Sequence, residues 1–304
     1  MDIVFATDAN YLMPTCVMLR SLTFHNPDVR LHLLSDGSLT PEHIRRMEAD
    51  AGRPVSVHLV KWDLCPKASG PAKHISDITY CRLAMAEVLP EEMDKVLYLD
   101  VDTIVRQDLT PLWETPLEGY AIGAVMDASN NDIHHFNRLR IPVSAGLFNA
   151  GVLLINLTWW REHHAADLFR DFLTNHPDRL YFHDQDVLNA TLWNHRKPLP
   201  LKWNCQSAFF YKISHVLYDW WTVEKELQDA TGNPAILHFI TAEKPWIKGC
   251  LHPMTDEFFR YQAMTSWAGT PLLKPHKTPK QRQRELLFRL HLRKRSPFPE
   301  NPYR

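Results

Sequence analysis

Asp100 and Asp102 stand one residue apart at the end of an apolar run, in the stretch KVLYLDVDTIVRQDLTPLWE that spans residues 95–114. In an extended chain, side chains two residues apart point to the same side, so both carboxylates can face one ligand. Two unpaired anions at the edge of a buried strand repel each other and lose hydration. A divalent cation removes both penalties. Two arginine side chains, or the N–H groups of a following helix, would do the same, and an isolated Asp-x-Asp also occurs as a capped turn after a strand.

Other segments add chemistry to the pair. Asp8 and Asn10 follow the first strand-like run, in FATDANY. HDQD (183–186) opens a helix-like segment with two carboxylates and an amide. ILHFITAEKPW (236–246) supplies His238 from a strand and Lys244 from the loop after it. Carboxylates with one imidazole suit Mn²⁺ or a similar divalent ion better than all-oxygen Ca²⁺. Lys244 can neutralise a phosphate oxygen. Together these residues suit the transfer of a group off a nucleoside diphosphate, where a metal offsets charge on the leaving diphosphate.

The elements that must hold these residues alternate along the chain. Strands are predicted at 2–7, 30–36, 55–62 and 95–100, with helices at 14–24, 40–52 and 77–90 between them. Thr40 is the expected N-cap of the second helix and Pro41 its first residue. Further strands are predicted at 120–127, 149–157 and 235–240, and a helix at 183–194. This order predicts an α/β fold, a mostly parallel sheet flanked by helices. Ligands of such sheets collect at the carboxyl ends of the strands, where Asp8 and Asp100 both lie.

Composition narrows the function class. The chain of 304 residues is 45% hydrophobic and 23% charged, as expected of a soluble globular protein. No apolar run approaches the ~20 residues that cross a bilayer. The acidic start MDIVFATDAN has no basic, apolar leader, which predicts a cytoplasmic protein. Five scattered cysteines without a Cys-x-x-Cys pair argue against a disulfide framework or a zinc site. Only 10 glycines occur, and neither a G-x-G-x-x-G after the first strand nor a P-loop motif is present, which sets aside dinucleotide-binding and P-loop domains. Charge is uneven. Residues 271–304 carry ten Lys or Arg against two Glu, leaving 24 basic and 33 acidic residues for the rest. The expected organisation is a catalytic domain over 1–270 and a basic tail over 271–304 that meets an anionic partner.

Six stretches, in order from residue 1 to about 250, resemble glycosyltransferase family 8 with its Rossmann-like GT-A fold, and in particular the bacterial lipooligosaccharide and lipopolysaccharide α-galactosyltransferases. They are MDIVFATDANY, HISDITYCRLAMAEVLP, DKVLYLDVDTIVRQDLTPLWE, FNAGVLLINL, HDQDVLN and HFITAEKPW. The resemblance implies that Asp100, Asp102 and His238 bind Mn²⁺, with Mg²⁺ the alternative, and that the donor substrate is a UDP-sugar. It implies a nucleotide site of Asp8, Asn10, Tyr11, Val101, Thr241, Lys244 and Trp246, with Tyr11 on the base. It assigns Arg82, Asp100, Asp127, Asn149, Ala150, Asp184 and Gln185 to the donor sugar, and His74, Phe182 and Ile240 to the acceptor. Relatives have Asp where this chain has Ala9, Tyr at Phe182 and Cys-Gly at Ile240-Thr241.

The family retains anomeric configuration. Gln185, with Asp184 and Asp127 the catalytic group implied, is a neutral amide and a poor nucleophile. Departure and attack on the same face of the sugar are therefore expected, with a double displacement through Asp184 as the rival. Galactose as donor, a lipid-linked saccharide as acceptor and a place on the inner face of the cytoplasmic membrane follow from the resemblance alone. A glucosyltransferase of the same family, a self-glucosylating primer and a non-catalytic membrane-binding homologue are the alternatives. Nucleic acid is an unfavourable partner because the body of the chain is acidic.

The tail interleaves its basic residues with Leu286, Leu287, Phe288, Leu290 and Leu292. Each Lys or Arg near an anionic leaflet contributes about 1 kcal/mol. A chain cut after residue 270 is therefore expected to lose its binding to anionic vesicles in a flotation assay. Undiminished binding would remove the tail from that role.

Overall fold

The computed structural model of the chain describes residues 1–61, 77–128, 133–210, 220–240, 244–275 and 283. Ten strands lie among them: β1 Asp2–Ala6, β2 Arg30–Ser35, β3 Val55–Leu59, β4 Lys95–Leu99, β5 Thr103–Val105, β6 Ile122–Met126, β7 Phe148–Asn156, β8 Arg196–Pro198, β9 Cys205–Gln206 and β10 Ile236–His238. Seven form one sheet in the order β3-β2-β1-β4-β7-β6-β8, and β5-β10-β9 form a small second sheet.

The central strands are apolar on both faces, which is what a sheet covered on both sides requires. Val96 and Tyr98 of β4 pack into one cluster, while Leu97 and Leu99 pack into the other. Val4 and Ala6 of β1 divide from Ile3 and Phe5 in the same way. Helices Leu12–His25 and Pro41–Ala51 cover one face, and helices Leu157–Glu162, Ala165–Asn175 and Asp184–Leu192 the other. Thr40 caps the helix that begins at Pro41, with Oγ1 accepting from the His43 amide. A third cluster joins Val17, Ile104, Leu237, Phe239, Trp246, Phe258 and Tyr261.

Strand direction explains how distant motifs meet. β1 to β4 run parallel, so Asp8 and Asp100 leave the sheet at one end. β7 is antiparallel to both neighbours. β6 therefore ends at Met126, beside Asp127, on the same side where β7 starts with Phe148-Asn149. The β6–β7 pairing jumps from Ala124↔Leu153 to Met126↔Phe148, an irregularity that arches residues 149–152 away from β6. In the small sheet, His238 pairs with Thr103 and Gln206, which sets its ring against Asp102.

The large sheet is mostly parallel, as expected: β7 alone runs against its neighbours, and β6 and β8 pair in parallel. Two expectations change in detail. The predicted strand 55–62 ends at Leu59, and Trp62 lies outside the described residues. The predicted helix 77–90 is a 3-10 helix over Asp77–Ala84, followed by a short α-helix Met85–Val88. Cys16, Cys81, Cys205 and Cys250 are free thiols, the first three buried, and Cys65 lies outside the described residues. The chain stays attached to the body as far as Leu273, which bridges to Ile247 and donates to the Trp246 carbonyl at 2.8 Å. The basic tail falls, from residue 276 and apart from 283, outside the described residues. No helix among the described residues is long and apolar enough to cross a membrane.

Asp2 ties β1 to β2 at the other end of the sheet. Arg30 donates to it from Nε and Nη2 at 2.6 and 2.5 Å, and His32 Nε2 lies 3.0 Å away. Burial pushes the Asp2 carboxyl up, but the Arg30 and His32 contacts outweigh it and hold the group below the usual carboxylate range. A depressed carboxyl stabilises the fold above its unfolded value of about 3.9 and stops doing so as pH falls through the folded value. Asp2→Asn is thus expected to cost about 1 kcal/mol in urea unfolding at neutral pH, with the difference closing in acid. An equal deficit at both pH values would contradict the assignment.

Candidate active site

Asp100 follows β4 directly, and the chain turns at Val101-Asp102 before β5. The carboxylates therefore converge through a turn rather than through continued strand alternation. Asp100, Asp102 and His238 each present one ligand atom, all within 4.8 Å of one another. His238 Nε2 stands 3.1 Å from Asp102 Oδ1 and 3.8 Å from Asp100 Oδ2.

Each carboxylate has one basic partner and one oxygen left over. Asp100 Oδ1 accepts from Arg82 Nη2 at 2.7 Å and from the Tyr98 hydroxyl at 3.1 Å, which leaves Oδ2 toward His238. Asp102 Oδ2 accepts from the buried Lys244 ammonium, which also donates to the Phe239 carbonyl at 2.5 Å. Asp102 Oδ1 is buried and makes no well-formed hydrogen bond, despite the nearby ring nitrogen. Burial pushes the Asp102 carboxyl up, but the Lys244 ammonium and the His238 ring together outweigh this and hold it well below the usual range. An ionised oxygen without a donor, two carboxylates and one imidazole make a donor set that fits a divalent ion.

Gly151 makes room for that set. A Cβ on its backbone would lie 2.1 Å from His238 Cε1 and 2.8 Å from Asp100 Oδ2. A glycine inside a strand often marks such a close approach. Its carbonyl also accepts from the Asp100 amide at 2.7 Å, which fixes the end of β4 against β7.

On the side away from the carboxylates, a polar lattice continues from Arg82. Buried Arg82 donates to the Ala150 carbonyl at 2.6 Å, stacks over Tyr98 at 4.3 Å and lies 2.9 Å from Asp184 Oδ2. Burial works against its charge, yet Asp100 and Asp184 raise its pKa. Burial pushes the Asp184 carboxyl up, and Arg82 offsets this only in part. Gln185 Nε2 donates to Asp127 Oδ2 at 2.9 Å, and Gln185 Oε1 accepts from the Ala150 amide at 3.0 Å and from Asn149 Nδ2 at 3.3 Å. Asp186 accepts from His135, Arg138 and the amides of Tyr181 and Phe182, at 2.6 to 2.9 Å. These bonds hold the turn in which His183 has φ +54°, a conformation that costs a non-glycine residue energy. Tyr80 also meets the His183 ring, with its hydroxyl 3.2 Å from Nδ1.

The remaining expected residues divide into three groups. Asp8 Oδ1 accepts from the amides of Asn10 and Tyr11, capping the turn that holds the exposed Tyr11 ring. Val101 lies between the two aspartates. Trp246 is buried against Phe258 and meets Tyr11 edge-on at 6.1 Å, so it supports that ring from below. Phe182 tilts on His135 at 5.2 Å, next to the Gln185 helix, whereas Ile240 is buried with the core. His74 and Thr241 lie outside the described residues. Sequence reading left out Gly151 and Asn204. A glycine inside a strand pattern was the available sign for the first. The second gave none, because an asparagine at a strand entrance is common.

Three comparisons bear on this constellation. The profile of Glycosyl transferase family 8 matches residues 2–250. General stress protein A of Bacillus subtilis is 29% identical over 287 residues, covering 90% of this chain and 97% of that protein. The lipopolysaccharide 1,3-galactosyltransferase of Salmonella typhimurium is 26% identical over 292 residues, covering 90% of this chain and 81% of that protein. Among solved structures, the galactosyltransferase LgtC in complex with donor and acceptor sugar analogues aligns with a TM-score of 0.76 at 27% identity, covering 93% of this chain and 99% of that one. The mixed α/β sheet described above is the GT-A fold of that structure.

Gly151→Ala is expected to fold with a loss of about 1–3 kcal/mol from overpacking. By displacing His238 it should weaken any divalent-ion binding at this donor set at least about tenfold, read by titration calorimetry with Mn²⁺ as the probe. Unchanged binding in the folded variant would show that the glycine leaves the donor set alone.

Proposed function

Because the chain belongs to glycosyl transferase family 8, we propose that it is a retaining, Mn²⁺-dependent hexosyltransferase that moves galactose from a UDP-sugar to a saccharide acceptor of a lipopolysaccharide or lipooligosaccharide core. The observation that carries this reading is the convergence of Asp100, Asp102 and His238 around a buried carboxylate oxygen that no donor satisfies. When bound there, the ion would offset the charge that builds on the diphosphate as it leaves.

The residues around it take the remaining work. Tyr11, held by the Asp8 cap and backed by Trp246, offers an exposed ring to the uracil. Asn10, Val101 and, by the resemblance, Thr241 complete the nucleotide site. Lys244 is the cation next to the carboxylates and serves a diphosphate oxygen. Arg82, Asp127, Asn149, Ala150 and Asp184 hold the hexose. Phe182, with His74 and Ile240, sets the acceptor side, where a saccharide presents its hydroxyl.

The state of the carboxylates supports attack and departure on one face. Asp184 is buried and paired with Arg82, Asp127 is taken up by Asn149 and Gln185, and Asp186 by four donors. Gln185 is an amide whose dipole can favour a short-lived oxocarbenium ion but which forms no lasting bond to carbon. A diphosphate oxygen would then take the acceptor's proton. A glycosyl adduct on Asp184, found by mass spectrometry, would instead establish a double displacement.

Galactose as the donor rests on the likeness to LgtC and to the Salmonella enzyme. Glucose differs at one hydroxyl and is the alternative donor. The basic tail and the lipid nature of such acceptors support a place on the cytoplasmic side of the inner membrane, with residues 1–270 as the catalytic unit.

The decisive measurement is UDP release from a panel of UDP-sugars with lactose as acceptor, in Mn²⁺ and in EDTA. Turnover is expected with UDP-galactose and Mn²⁺ and none in EDTA. Asp102→Ala should lower turnover by about 100–1,000-fold or more with the fold retained. Full turnover in EDTA, or in that variant, would overturn the proposal.

A further inference from the structure

Two hydrogen-bond directions at the site admit one reading. A backbone N–H can only donate, and a carboxylate can only accept. The Gly151 amide donates to Asn149 Oδ1 at 3.0 Å, and Asn149 Nδ2 donates to Asp127 Oδ2 at 3.3 Å. The orientation of the Asn149 amide is thereby fixed at both ends. Its Oδ1 also lies 2.8 Å from Asn204, so Asn204 must turn Nδ2 toward it. Asn204 Oδ1 then faces His238 Nδ1 at 2.9 Å. An acceptor in that position keeps the imidazole proton on Nδ1. Nε2 is left with its lone pair, 3.1 Å from Asp102 Oδ1 and 3.8 Å from Asp100 Oδ2.

The opposite orientation of Asn204 would place its NH₂ against Nδ1 and move the proton to Nε2. A protonated Nε2 cannot serve a metal. The direction of one buried amide thus decides whether the imidazole is a ligand. Asn204 is fully buried and immediately precedes β9, whose pairing of Cys205 with Leu237 and Gln206 with His238 sets it beside the ring.

We propose that Asn204 is the positioning residue of the site: it holds His238 with Nε2 free toward Asp100 and Asp102, and through Asn149 it ties that orientation to the Gln185 amide. The link to Gln185 is direct, because Asn149 Nδ2 is shared between Asp127 and Gln185 Oε1, both at 3.3 Å. One continuous chain, His238–Asn204–Asn149–Gln185, thus joins the group that would hold the cation to the group beside the reacting sugar carbon. This inference rests on the metal-binding reading of the preceding subsection.

The test is Mn²⁺ titration of the intact chain with UDP present, counting free Mn²⁺ by its electron paramagnetic resonance signal. Asn204→Leu, similar in size but with no acceptor, is expected to raise the Kd about 10–100-fold. A merely structural role would lower the melting temperature of the leucine variant and leave its Mn²⁺ affinity unchanged. A folded leucine variant that binds Mn²⁺ as the parent does overturns the proposal. Should that variant fail to fold, ¹⁵N-histidine spectra of the parent chain in alkaline, metal-free buffer decide. A proton on Nδ1 of His238 supports the assignment, and a proton on Nε2 overturns it. The spectrum needs no metal, so a chain that bound no Mn²⁺ would sink the proposed function while the tautomer was judged separately.

Discussion

Repulsion between the Asp100 and Asp102 carboxylates is the constraint around which the carboxyl end of the sheet is arranged. Two anions at the end of a buried strand oppose folding unless charge of the other sign is brought to them. The chain recruits it from remote places: Arg82 from the 3-10 helix before β4 and Lys244 from beyond β10. Each of these cations neutralises one oxygen and leaves its neighbour unmatched on the side of His238. Compensation is thus incomplete where these two carboxylates face His238, and that spot is where a dication fits. The pattern differs from an ordinary buried ion pair, in which both partners would be saturated.

Antiparallel β7 is what closes the constellation. Were β7 parallel to β4, its first residues would lie at the far end of the sheet, with Asp2. Running back, it delivers Asn149, Ala150 and Gly151 beside Asp100 and Asp127. The break in pairing between Ala124 and Met126 then releases residues 149–152 from β6, so their polar groups can bind side chains instead of a neighbouring strand. The third cluster, built from Val17, Leu237 and Phe258 among others, fastens the small sheet to helix Leu12–His25 and keeps His238 in register with Thr103.

Much of this was readable in the residues. Alternating apolar runs gave the strands, Thr40-Pro41 marked a helix start, and the aspartate pair and the distant histidine were expected to converge, as they do. The direction of β7 was not readable, because alternation of elements along a chain favours parallel neighbours and says nothing of a strand that returns. The segment 77–90 carries an α-like apolar pattern, yet Asp77–Ala84 is wound more tightly. Arg82 within it reaches Asp100, Ala150 and Asp184 together, and these tertiary contacts outweigh local propensity. Lys244 would pass for a surface lysine, and only its burial between Asp102 and Phe239 reveals otherwise. Asn204 carries no local mark at all, because its importance lies in the direction of an amide that only the assembled neighbours determine.

The bend at His183 has an implication for how this protein could change. Its backbone sits where glycine would rest at ease, and it is held there by Tyr80 and by the grip of Asp186 on the two preceding amides. A glycine at this position would relax the backbone and also unfasten the start of the helix that presents Asp184 and Gln185. Selection for heat tolerance and selection for turnover would therefore pull this residue in opposite directions, and a laboratory lineage evolved for the first alone would drift toward a sturdier, slower catalyst.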